Sequence, residues 1–231
     1  MINVPVLITA ESGMGKSSAA RTLPPGKTVI VNCERKPMPF KSFSKFKNVN
    51  IKRYKDYATL IKQLMGEKGK EYDYVVIDSL TSLLEICNKY CNTIYSGYNI
   101  WSEYNDLVYN ILQDMKDLPQ QVFITGIPEY IEIAPGEMRA VIKTKGKEFK
   151  GAIPKEFAIV LHGHVNDDDE GNITEYLFDT KPSKYTSAKS PDGMFEDRYI
   201  PNDMLAIADA INEYYGDEDE EGTQSTGNSD S

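Results

Sequence analysis

Only three cysteines, two histidines and one tryptophan occur among 231 residues. No stretch approaches the ~18 consecutive apolar residues of a membrane-spanning helix. Thiols this scarce and scattered exclude a disulfide framework, so Cys33, Cys87 and Cys91 are expected to stay reduced. Cys87 and Cys91 stand four apart in a predicted helix, but no neighbouring Cys or His completes a metal set, and both are read as core residues. The N-terminus lacks the charged, apolar and small-residue regions of a secretion signal. Together these features point to a cytoplasmic protein. His162 and His164 share one face of a predicted strand; without a third ligand they are read as packed or hydrogen-bonded side chains.

Arginine is sparse too. Arg21, Arg35, Arg53, Arg139 and Arg198 are spread along the chain, with no arginine-dense segment to clamp a phosphoryl group in transfer. The net charge of −9 is uneven: six acids and no Lys or Arg fall in residues 216–231. That tail has nothing apolar to bury and is expected to be disordered. An acidic chain usually argues against nucleic acid, but here most of the excess sits on an appendage.

What is present is a phosphate-binding signature. An apolar strand at about 4–10 runs into Ala10-Glu11-Ser12-Gly13-Met14-Gly15-Lys16-Ser17-Ser18. The Walker A pattern asks for Gly, four residues, then Gly-Lys-Ser/Thr, and Ala10 replaces the first Gly with another small residue. Gly13 and Gly15 let backbone N–H groups turn inward around phosphate oxygens. A helix expected over 16–23 adds the positive end of its dipole. Lys16 meets the β and γ phosphates, and the Ser17 hydroxyl holds Mg²⁺. Downstream, Tyr74-Val75-Val76-Ile77-Asp78 is a buried-strand run ending in an acid, as a Walker B carboxylate for Mg²⁺ requires. ATP and Mg²⁺ are the implied ligands.

The rest alternates strand and helix. Strands are predicted at 28–33, 49–53, 73–78, 121–126, 157–165 and 173–179, and helices at 57–67, 80–94, 102–117 and 202–215. Asp167 to Asn172 forms a polar turn that makes the last two strands a hairpin. The expected fold is α/β: a three-layer P-loop NTPase over 1–215, its mostly parallel sheet ending in an antiparallel C-terminal edge hairpin.

With these elements placed, the chain resembles the RecA-type ATPase core in its minimal phage form, the group that includes single-strand annealing and recombination proteins. The resemblance covers roughly 4–210. It rests on Glu11 to Ser17, on Asn32-Cys33-Glu34, on Ile77-Asp78-Ser79-Leu80-Thr81, and on Ser187-Ala188-Lys189-Ser190 followed by Arg198. It implies that Glu34 aligns the attacking water, that Asp78 orients Mg²⁺, and that Thr125 acts as a polar sensor after the fourth strand. Ile127 and Pro128 stand where a polar residue is expected. The resemblance also implies a homo-oligomer in which Lys184 and Lys189 reach a neighbour's nucleotide. Lastly, it implies a mobile loop over 127–152 that holds single-stranded DNA through Arg139, Lys143, Lys145, Lys147 and Lys150, with Tyr130 and Phe149 for stacking. An amphipathic hairpin with Val141 and Ile142 facing inward is an equal reading of that segment.

Two other functions fit the same motifs: a P-loop kinase for a small molecule or nucleotide, and a nucleotide-dependent interaction module with little hydrolysis.

Overall fold

The computed structural model describes residues 2–221, with side-chain surroundings to residue 216. Ten strands and four α-helices are present: β1 Val6–Thr9, β2 Thr28–Asn32, β3 Lys47–Asn50, α1 Tyr54–Met65, β4 Tyr74–Asp78, α2 Leu80–Ile94, α3 Asn99–Asp117, β5 Gln121–Gly126, β6 Pro128–Ala134, β7 Glu137–Ile142, β8 Ile159–Asp167, β9 Ile173–Asp179, β10 Tyr199–Pro201 and α4 Met204–Glu221. Eight strands form one sheet in the order β10-β9-β8-β1-β5-β4-β2-β3, and β6 and β7 pair separately. The six strands from β8 to β3 are parallel, whereas β9 runs antiparallel to β8 and β10 to β9. The expected α/β P-loop NTPase fold with an antiparallel edge is therefore present, and β10 extends that edge by a strand the sequence did not reveal.

Period-two geometry explains the three layers, because successive strand side chains point to opposite faces. Leu7, Val29, Val31, Val75, Ile77, Val122 and Ile124 pack on one face with α1, α2 and α3. Val6, Ile8, Ile30, Val76, Phe123 and Leu161 pack on the other with Ala19, Ala20 and α4. Cys33, Cys87 and Cys91 are free thiols buried in the first of these layers.

Two expectations are corrected. The helix after the phosphate loop is a short 3-10 helix, Ser18–Thr22. Leu23 precedes Pro24-Pro25 and is extended, with ψ 148, since a proline pushes its predecessor out of the helical region. So short a helix adds little dipole to the loop. Of the two equal readings of segment 127–152, the mobile loop is replaced by the hairpin: β6 and β7 pair, Ala140, Val141 and Ile142 are buried, and the Ala140 N–H donates to the Tyr185 carbonyl at 2.8 Å. Apolar burial and backbone pairing won over the basic charge. At the other end α4 continues to Glu221, into the acidic segment expected as tail, and residues 222–231 lie outside the described residues.

Candidate nucleotide site

The C-terminal edges of β1, β2, β4 and β5 meet at one crevice, where open α/β sheets bind ligands. The phosphate loop leaves β1 there. Gly13 and Gly15 have φ of +86° and +79°, a left-handed backbone that glycine adopts without a steric penalty. At Gly15 space is short as well: a Cβ would lie 2.8 Å from the Tyr176 ring and 3.0 Å from the Asn202 side chain. Asn202 donates to the Gly15 carbonyl at 3.2 Å and accepts from Arg21 at 3.0 Å, tying the loop to the far end of the chain. Neither Tyr176 nor Asn202 was legible in the sequence, because 187 residues separate Asn202 from Gly15.

Lys16 is only 8% exposed. Its ammonium donates to the Glu11 carbonyl at 3.5 Å, and among the described residues no carboxylate oxygen lies within ion-pair distance. A buried cation without a bonded anion is costly, so the loop is shaped around an anion. Glu11, Ser12 and Gly13 are exposed on the outer turn, Met14 and Ser18 are half-buried, and Ala10 is fully buried against β8.

Ser17 and Asp78 meet directly: the hydroxyl donates to Asp78 Oδ1 at 2.9 Å. The Thr125 hydroxyl donates to the same oxygen. Burial pushes the Asp78 carboxyl up, while the Thr125 and Ser17 hydrogen bonds and the Lys16 charge pull it down. One carboxylate and one hydroxyl fit Mg²⁺, which takes hard oxygen ligands, keeps several waters and completes its shell with substrate phosphates.

Glu34 follows β2 and is pinned beside Asp78, whose carbonyl accepts from the Cys33 N–H at 2.7 Å and from the Glu34 N–H at 3.3 Å. Glu34 Oε1 accepts from the Ser79 hydroxyl at 3.0 Å, and Oε2 from the Lys36 ammonium at 2.6 Å. Burial raises its pKa, but hydrogen bonds from Lys36 and Ser79 outweigh burial and hold the carboxyl below its usual value. Ser79 also caps α2, accepting from the Ser82 N–H. Its place before a helix was readable; its bond to Glu34 was not.

The remaining sequence candidates lie elsewhere. Lys189 is fixed through its backbone, bonded both ways to Val160, and the Lys184 ammonium sits 4.9 Å above the Tyr185 ring. Lys143, Lys147 and Lys150 are exposed, whereas Arg139 is half-buried and Lys145 pairs with Glu85 at 3.9 Å. Phe149 packs on the core and is not free for stacking; Tyr130 lies beside Glu11, whose hydrogen bond and charge, after burial, push its phenol up. His162 shares a 2.8 Å hydrogen bond with the Thr9 hydroxyl, and His164 stacks on Tyr199 with centroids 4.3 Å apart. Both histidines have the packed roles expected of them. No helix among the described residues is long and apolar enough to cross a membrane.

No curated protein matches the chain. A family model described as an AAA domain matches residues 2–191, most of its length. With a phosphate loop, a Mg²⁺-ready acid and a mostly parallel sheet already in place, the chain belongs to this AAA-domain family of P-loop ATPases.

Proposed function

We propose that this protein hydrolyses Mg-ATP and couples the hydrolysis to single-stranded DNA, in the manner of phage recombination and annealing ATPases. The observation that carries the nucleotide half is the buried Lys16 ammonium, which lacks a bonded carboxylate among the described residues and sits over a loop with two left-handed glycines. Lys16 and the loop N–H groups hold the β and γ phosphates. Ser17 and Asp78 would hold Mg²⁺, and the ion would supply positive charge to offset that developing on the phosphates. Glu34 receives a proton from the attacking water as its oxygen bonds to the γ phosphorus and the bond to the bridging oxygen breaks, leaving ADP and phosphate. Thr125 holds Asp78 in position.

The resemblance supports the DNA half, as do the exposed Lys143, Lys147 and Lys150. The same resemblance supports a homo-oligomer in which Lys189 faces a neighbour's nucleotide. ATP turnover measured with and without single-stranded DNA tests the whole reading. Stimulation by DNA supports it, phosphate transfer to an added nucleotide points to a kinase, and binding without turnover points to an interaction module.

A further inference from the structure

A cleft of about 630 Å³, lined by Glu34 but by no residue of the phosphate loop, lies between the turn after β2, the start of α1 and one face of α2. Six cationic side chains line it, Arg35, Lys36, Lys52, Arg53, Lys55 and Lys89, against only two carboxylates, Glu34 and Glu85. All six are exposed. Of these six, only Lys36 and Arg53 have a carboxylate within 4 Å among the described residues. In a chain of net charge −9 this concentration of positive charge opposes the overall sign.

Aromatic surface accompanies the charge. Tyr54 and Tyr90 lie with ring centroids 5.2 Å apart, and Tyr90 and Ile94 are 37% and 58% exposed on the same wall. The turn that brings Arg35 and Lys36 to the cleft is built for them. Buried Asn32 accepts from the Arg35 N–H at 2.6 Å and donates to the Lys36 carbonyl at 2.7 Å, holding Arg35 at φ 57°. A turn needed only to reverse the chain has glycine available at no steric cost; here an arginine is kept in a left-handed conformation instead.

We propose that a single-stranded nucleic acid docks in this cleft, and that its phosphates draw Lys36 away from Glu34 and so switch on hydrolysis. The proposal rests on the DNA-coupled reading above, but moves the contact from the β6–β7 segment to the cleft. Clustered cations with exposed aromatic rings are what single strands require: phosphates pair with the cations and bases stack on the rings. Six cations on three elements exceed what one phosphate monoester needs. Lys36 is the link. Its side chain is 74% exposed while Glu34 is 16% exposed, so the pair joins the strand-facing surface to the nucleotide crevice. An ion pair with so exposed a lysine is weak, and a phosphodiester can displace it. Released from Lys36, Glu34 Oε2 is free to accept from the attacking water.

The test uses the full chain, a labelled oligothymidylate and ATP turnover, with melting temperatures to confirm folding. The triple variant Lys52→Ala/Lys55→Ala/Lys89→Ala should bind the oligonucleotide at least tenfold more weakly, with a salt slope smaller by about 3 and unchanged turnover without DNA. Lys36→Met should raise turnover without DNA towards the stimulated rate and lose most of the stimulation, whereas a merely structural lysine would lower turnover or leave it alone. Wild-type binding by the triple variant, with binding lost instead in Lys143→Ala/Lys147→Ala/Lys150→Ala, would overturn the cleft and leave the DNA-coupled reading standing. Displacement of the oligonucleotide by thymidine monophosphate at equal concentration would make the cleft a small-molecule site. Unstimulated or lowered turnover in Lys36→Met would remove the switch. An active wild-type ATPase that neither binds nor responds to the oligonucleotide would sink the DNA reading itself.

Discussion

Ala10 and Gly163 are packed so closely across β1 and β8 that a Cβ on Gly163 would lie 2.6 Å from the Ala10 methyl. The loop therefore tolerates alanine where its pattern asks for glycine because the neighbouring strand gives up its side chain. Gly163→Ala should destabilise the protein by about 1–3 kcal/mol, the usual range for overpacking. Adding Ala10→Gly should recover part of the loss; the Met14 carbonyl, 3.2 Å from the same Cβ position, blocks full recovery. Denaturant midpoints of the four proteins in the cycle measure this, and strictly additive effects would show that the two sites are not coupled.

Lys16→Ala should weaken ATP binding roughly 10²-fold or more. Hydrogen bonds to charged groups contribute about 1.5–3 kcal/mol each, and a tenfold change in affinity is about 1.4 kcal/mol. Because the buried ammonium lacks a bonded carboxylate among the described residues, the ligand-free fold should not lose stability with it. Calorimetric titration with ATP is the measurement, and near-native affinity in a folded variant would refute the phosphate-loop assignment.

Glu34→Gln should keep Mg-ATP binding and slow turnover by roughly 10²-fold, as loss of a positioned base does. The amide oxygen can still accept from one of the two donors, Ser79 or Lys36, and the side chain keeps its size, so the fold around it is retained. Turnover at saturating ATP decides it; an unchanged rate would place the base elsewhere.

His162 makes stability depend on pH in a definite direction. Burial holds its imidazole below its ordinary value of 6.5, against the opposing charges of Asp179 and Glu11. The unfolded chain then binds more protons than the folded one from about pH 6.5 downward, so stability is full above that pH and falls as the solution is acidified. Asp78, raised by burial, contributes with the opposite sign. The comparison with His162→Gln cancels that contribution. The variant should lose less stability than the native chain between about pH 7.5 and 5.5; parallel losses in thermal melts would show that another group titrates.

Much of this was legible residue by residue. The phosphate loop, the Walker B strand and the alternation that buries both sheet faces depend on local spacing, which a linear reading captures. Ser17, Asp78 and Thr125 were named from the chain and share one oxygen in the fold. The helix expected over 16–23 is instead a 3-10 helix over Ser18–Thr22, with Leu23 extended before Pro24 and Pro25. For segment 127–152 the sequence left a mobile basic loop and an amphipathic hairpin equally open, and burial of Val141 and Ile142 with the bond to Tyr185 decided for the hairpin.

Tertiary structure alone decided the rest. Gly163 opposite Ala10, Asn202 on Gly15 and Tyr176 over the loop are contacts across strand order and chain ends, and no periodicity encodes them. The cationic cleft arises in the same way: its lysines and arginines belong to three segments whose charges look dispersed along the chain. The sequence by itself determined the α/β fold and the phosphate-loop and Walker B segments, since glycine conformation and strand-to-helix geometry are local. Which groups brace that loop, and which charges gather beyond Glu34, depend on how the sheet orders its strands, a long-range packing outcome that only the folded chain displays.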